Sequence, residues 1–326
     1  MKGLRTLVLE EDLTMVQVST KFRFIFHVLD SFRRFVKKIG VIRNPEYQVD
    51  ISKGLPKISD YGNIQIDTLP GQPKAQIQEL LKKLQQKVEL CIKRGNIPFI
   101  IGGSRDLFGA VSDALQKEKQ ESRNAYISIS HRLDVDESTK DHIPQQTTNK
   151  RYLLEKMMAR KNVLYEFGTH GVKTSQEQVE FFQERNPEGH IEWMNQIRKV
   201  QMQPNGHYYT QAGQKFYQLL VEKINKDVNV DQVYVSFNLE SVEAAVGVTT
   251  NNTAGGFTSE EAIEISYLAG LFSHKLVAID ISEYNPFVED WRTGRLVATM
   301  FYYFALGLSQ RLQEPVEQVN VDFITQ

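Results

Sequence analysis

A chain in which short apolar runs alternate with helical periodicities is predicted to be α/β, a doubly wound parallel sheet covered by helices on both faces. Two observations carry that prediction. Ile77, Leu80, Leu81, Leu84, Val88 and Cys91 recur at helical spacing until Gly95, a suitable C-terminal cap, and Pro98 then opens the apolar run Phe99-Ile100-Ile101. Thr174 with Glu177, and Thr258 with Glu261, have the spacing of capping boxes, so helices are expected to start behind strands.

In chain order, residues 13–39 form an unusual head. From about Phe24 it reads as a helix with Phe24, Val28, Phe32, Phe35 and Val36 on one face and Arg33, Arg34, Lys37 and Lys38 interleaved. Such a helix packs on its own domain, binds a partner, or lies on a membrane surface. Further strands are expected at Ala125–Ile129, Asn162–Phe167, Gln232–Phe237 and Lys275–Ile281, with helices at about 107–118, 150–161, 175–185, 208–226, 258–271 and 292–311. No repeat or Pro/Gly-rich linker divides the chain, so residues 40–311 read as one α/β domain between an N-terminal extension, 1–39, and a tail, 312–326.

Composition narrows the function classes. The chain has 326 residues, 41% hydrophobic and 24% charged, enough for a substantial core. With 39 basic and 40 acidic residues the net charge is -1, which gives no pull toward nucleic acid. The single cysteine, Cys91, excludes an intrachain disulfide and sits on an apolar helix face, where core packing is its expected role. No apolar run reaches the ~18 residues of a transmembrane segment, and Glu10, Glu11 and Asp12 argue against a leader peptide at the start. An intracellular, soluble protein, cytoplasmic by default, is the expectation.

In a doubly wound sheet, function gathers at the carboxyl ends of strands. Three segments belong there: Gly102-Gly103-Ser104-Arg105-Asp106, Ser130-His131-Arg132-Leu133-Asp134 and Ser236-Phe237-Asn238-Leu239-Glu240. Within a strand residues two apart point the same way, so Ser130, Arg132 and Asp134 share one face, His131 points to the other, and Asn238 pairs with Glu240. The paired glycines lack the endings of a phosphate-binding loop or a dinucleotide fingerprint. Neither Asn149-Lys150-Arg151 nor His27, His142, His170, His190, His207 and His274 make a spacing that suggests a site.

Leu276-Val277-Ala278-Ile279-Asp280-Ile281-Ser282-Glu283-Tyr284-Asn285-Pro286, then Arg292-Thr293-Gly294-Arg295-Leu296, resembles the strand end and helix start of the arginase, agmatinase and formimidoylglutamase family, most of all the formimidoylglutamase branch. Gly255-Gly256-Phe257-Thr258 and Ile97 to Gly103 are similar to two further family motifs, and the likeness runs from about Gly40 to Leu308. The resemblance implies a three-layer α/β/α fold with a mostly parallel eight-stranded sheet, manganese-dependent C–N hydrolysis and oligomers. It also implies where two manganese ions would be held: at Arg105, Ser130, Arg132, Asp134, Asn238 and Glu240. Of these only Asp134 keeps the family's residue, and Glu240 keeps a carboxylate. Glu283 falls on the family's guanidinium-binding glutamate.

Manganese takes carboxylate oxygen and neutral imidazole, whereas a guanidinium is cationic and has no lone pair to donate. The expectation is a pseudoenzyme without manganese or another cofactor, with Arg105 and Arg132 in ion pairs with Asp134 and Glu240. The alternative is that these arginines point to solvent. As a function, a structural or assembly subunit with protein partners, in a homo-oligomer or a larger complex, stands against an active ureohydrolase with a rearranged site. A metal-free module holding a small molecule near Glu283 is the third reading.

Overall fold

The structure, a computed structural model, describes residues 12–18, 25–40, 42–55, 57–64, 73–118, 121–137, 147–157, 162–199, 210–227, 229–248 and 254–313. Eight strands make one sheet: β1 (Asp12–Val18), β2 (Lys57–Asn63), β3 (Ile97–Gly102), β4 (Asn124–Ile129), β5 (Val163–Thr169), β6 (His190–Trp193), β7 (Gln232–Asn238) and β8 (Leu276–Ser282). Their order is β2-β1-β3-β8-β7-β4-β5-β6, and every neighbouring pair is parallel.

The expected strands are found within two residues of their predicted ends, while β1, β2 and β6 were not read from the sequence. β2 carries Ser59, Asp60 and Gly62 and lies at one edge, and β6 has only four residues at the other, so neither shows a long apolar run. A two-stranded ribbon pairs Arg43–Asn44 with Val49–Asp50 outside the main sheet.

Helices α1 (Ile25–Ile39), α2 (Pro73–Lys93), α3 (Leu107–Glu118), α4 (Asn149–Met157), α5 (Gln176–Arg185), α6 (Gln211–Tyr217), α7 (Ser259–Phe272) and α8 (Trp291–Gln313) cover both faces. Strand alternation sorts two cores between the three layers. Phe99 and Ile101 point to the core that includes α1, α6, α7 and α8, while Ile100 points to the one that includes α2, α3, α4 and α5. Cys91 is fully buried in the second core. Gly95 ends α2 with φ 75, as its capping role requires.

Three expectations need correction. The head is not an appendage: β1 is hydrogen-bonded between β2 and β3, and Phe32 and Phe35 of α1 are buried against Phe301 and Trp291 of α8, so the boundary at residue 39 cuts through one unit. That close approach is why Gly294 is a glycine, since a Cβ there would stand 2.6 Å from Phe35. The box at the start of α5 is Ser175 with Gln178, because Thr174 already closes a single 3-10 turn, Gly171–Lys173. Finally, α6 widens into π-helical turns over Gln218–Ile224. The box of Thr258 and Glu261 is present at the start of α7. The Phe24 and Val28 part of the helical face, His142, His207 and residues 314–326 of the tail lie outside what is described of the chain.

Candidate functional site

Four adjacent strands, β3-β8-β7-β4, deliver the expected residues to one place: Arg105 follows β3, Ser130 to Asp134 follow β4, Asn238 and Glu240 close β7, and Glu283 follows β8. The strand rule, however, does not extend that far. β4 stops at Ile129, and Asp134 reaches the centre through a bend in which its φ is 52. β7 stops at Asn238, whose side chain accepts from the Glu240 N–H at 2.9 Å and caps a 3-10 turn, Leu239–Ser241. That turn aims Glu240 inward. Gly256 backs it at such close range that a Cβ would meet the Ser241 carbonyl oxygen at 2.3 Å. Glu283 sits at φ 68.

Arg105 is the hub. Its Nη1 donates to both oxygens of Asp134, at 3.1 and 3.2 Å, and lies 3.5 Å from Glu240 Oε2; its Nε is 3.5 Å from Glu283 Oε1. Its backbone is held too: the N–H donates to Glu283 Oε1 at 2.9 Å and the carbonyl accepts from Asn149 Nδ2 at 3.2 Å. The side chains are 5% exposed for Arg105, 1% for Asp134 and 0% for Glu240 and Glu283, so water contributes little screening.

Arg132 is not the second cation of this cluster. Because the chain bends after Ile129, its Nε donates to His131 Nε2 at 3.0 Å, its N–H donates to Ser130 Oγ at 3.3 Å, and no ion pair joins it to a carboxylate among the described residues. His131 is buried, and burial together with Arg132 and Arg105 lowers its pKa to about 2, so it accepts as a neutral imidazole. The second cation is Lys150, at the start of α4, which corrects the reading that Asn149-Lys150-Arg151 belongs to no site: its partners are distant in the chain, so no local spacing marks it. Its Nζ donates to Glu166 Oε2 and to the Arg132 carbonyl, both at 2.9 Å, and lies 3.8 Å from Asp134 Oδ2. Glu166, inside β5, was equally invisible.

The electrostatics follow from burial opposed by pairing. Desolvation works against the charge on Arg105, yet Asp134, Glu240 and Glu283 outweigh it and hold its pKa above the ordinary arginine value. Burial raises Asp134, with Arg105 and Lys150 pulling the other way. Burial pushes Glu166 to about 8 in spite of Lys150, and Asp106 to about 6.

These residues do not fit manganese. Among the described residues no group of three or more His, Cys, Asp or Glu side chains is arranged to hold a metal ion, and a guanidinium stands where the carboxylates converge.

The model of the Arginase family matches residues 30–307. The chain belongs to the arginase family. Among solved structures of this fold, the formiminoglutamase of Trypanosoma cruzi with manganese is similar at a TM-score of 0.72 and 24% identity, covering 91% of this chain and 93% of that one. The formimidoylglutamase of Bacillus subtilis gives 0.71 and 17%, over 92% and 88% of the two chains. The agmatine ureohydrolase of Thermoplasma volcanium gives 0.70 and 16%, over 94% and 92%. A search of curated proteins gave no match. The family resemblance and the α/β/α fold read from the motifs are thereby established. Glu283, expected from the resemblance to face a guanidinium, lies 3.5 Å from the Nε of this chain's own Arg105.

Proposed function

We propose that this chain is an arginase-family protein in which an internal ion-pair network stands in for the dimanganese site, and that it serves as a structural or assembly subunit with protein partners. The observation that supports this best is Arg105 Nη1 at 3.1 Å from Asp134 and 3.5 Å from Glu240. A cation already occupies the space between the carboxylates, and it would repel a divalent ion. Lys150 adds a second charge beside Asp134. Together they supply the counter-charge without which buried carboxylates would cost several kcal/mol each. The hydrolysis depends on a metal lowering the pKa of bound water to near neutrality, and the side chains gathered here have no equivalent.

Elemental analysis of the purified chain, with urea and formamide assays after manganese loading, tests the reading. Expected are manganese far below one ion per chain and no turnover. About two ions per chain with product release would instead establish a working ureohydrolase, the second reading, which is favoured by the names of the T. cruzi and B. subtilis neighbours. The subunit role is tested on native material, where the chain is expected in a complex of fixed stoichiometry; recovery only as a free monomer would end it.

A further inference from the structure

A cavity of about 570 Å³ lies at the carboxyl ends of β5 and β6, beside Ser130 and His131, whose carbonyl oxygens accept from Thr169 Oγ1 and from the His170 N–H, with Trp193, Met194, Gln196, Arg198 and Lys199 also in its wall. Its volume is within the roughly 300–1,000 Å³ of small-molecule sites. None of its described lining residues is acidic. Arg198 is neutralised by Glu261, to which its Nη2 donates at 2.9 Å, and it also donates to the Gly256 carbonyl at 2.9 Å. Lys199 is different: among the described residues its ammonium has no carboxylate partner, and it is exposed. His170 Nε2 is buried without a hydrogen-bond partner among the described residues, although its backbone N–H is tied to the His131 carbonyl at 3.1 Å. Gln196 spends its carbonyl oxygen on the Trp193 N–H at 3.2 Å, which leaves its amide hydrogens for a ligand. Trp193 and Met194 supply an apolar wall.

We infer that this cavity binds a small anionic metabolite, a carboxylate or a phosphate ester, with Lys199 and His170 on the anion and Trp193 beside its body. Among the described residues, donors, one cation without a carboxylate partner and no acid make the chemistry one-signed: an amine or a guanidino compound would meet repulsion from Lys199. Burial and the nearby Arg198 hold His170 below the ordinary histidine value, so an anion would supply the counter-charge that its surroundings withhold. The ligand reading at Glu283 is thereby moved to another place and another charge. It does not depend on the subunit reading, since a subunit needs no ligand.

The test is a thermal-shift and calorimetric titration of the full chain, at constant ionic strength, with inorganic phosphate, with glutarate, and with uncharged glutaramide. Saturable stabilisation by phosphate alone supports a phosphate ester, and by glutarate alone a carboxylate; glutaramide is expected to do nothing. Lys199→Ala and His170→Gln are each expected to weaken binding about tenfold, the range for a lost charge-assisted contact, while Lys199→Arg retains it. Lys199 is exposed, so its variants fold. No response to either anion, or an equal response in Lys199→Ala, overturns the inference.

Discussion

Two buried carboxylates, one following β4 and one inside β8, have partners of different kinds. Asp134 meets a guanidinium at 3.1 Å and an ammonium at 3.8 Å, whereas Asp280, inside β8, meets the hydroxyls of Tyr234, at 2.5 Å, and Ser236, and has no ion pair among the described residues. Burial, opposed by Tyr234 and Ser236 but by no cation, therefore raises Asp280 to about 7. Burial raises both acids, but only Asp134 has cations that pull the other way. The first arrangement makes every partner indispensable. The second makes the acid dispensable.

The largest effect expected is that of Arg105→Met, which strands Asp134, Glu240 and Glu283 around an apolar side chain. Loss of one partner from a buried pair costs about 3–5 kcal/mol, to be measured by urea unfolding at pH 7; a loss below about 1 kcal/mol would remove the hub role of Arg105. Lys150→Met is expected to cost less at pH 6 than at pH 9. Below its pKa of about 8 Glu166 can remain protonated and needs no cation, whereas above it a buried anion is left alone. A penalty independent of pH would show that Lys150 serves Asp134 rather than Glu166.

Asp280→Asn tests the other side of the comparison. A carboxylate whose pKa is raised on folding makes stability fall as pH rises from its unfolded value, about 3.9, up to about 7, and leaves it flat above that. The variant lacks this loss. Its stability relative to the parent is expected to improve across that window, and a constant difference would show that Asp280 is charged throughout. The smallest effect belongs to Thr258→Ala, which removes a capping-box oxygen from α7 far from either acid and is expected to cost about 1 kcal/mol.

The apolar strands were legible because residues such as Phe99, Ile100 and Ile101 are buried whichever core they face. β1, β2 and β6 were not, because the edge strands are polar or short and the apolar residues of β1 are interrupted by Thr14 and Gln17. At the site, Arg105, Asp134, Glu240 and Glu283 were found from their place in the motifs, and the structure brings them together. Arg132 was assigned to the same cluster by continuing a period of two beyond Ile129, where the strand has ended. Lys150 and Glu166 had no local signature at all, since their relation spans 16 residues and exists only once α4 is laid over β5.

The sequence by itself determined which elements exist at the centre of the molecule, which family motifs they carry, and that Arg105, Asp134, Glu240 and Glu283 belong to strand ends. Periodicity and motif order are properties of contiguous residues, so they survive in one dimension. Only the tertiary structure decided which cation faces which acid. That choice depends on where strands stop, on the left-handed turns at Asp134 and Glu283, and on the burial that makes each unpaired charge costly.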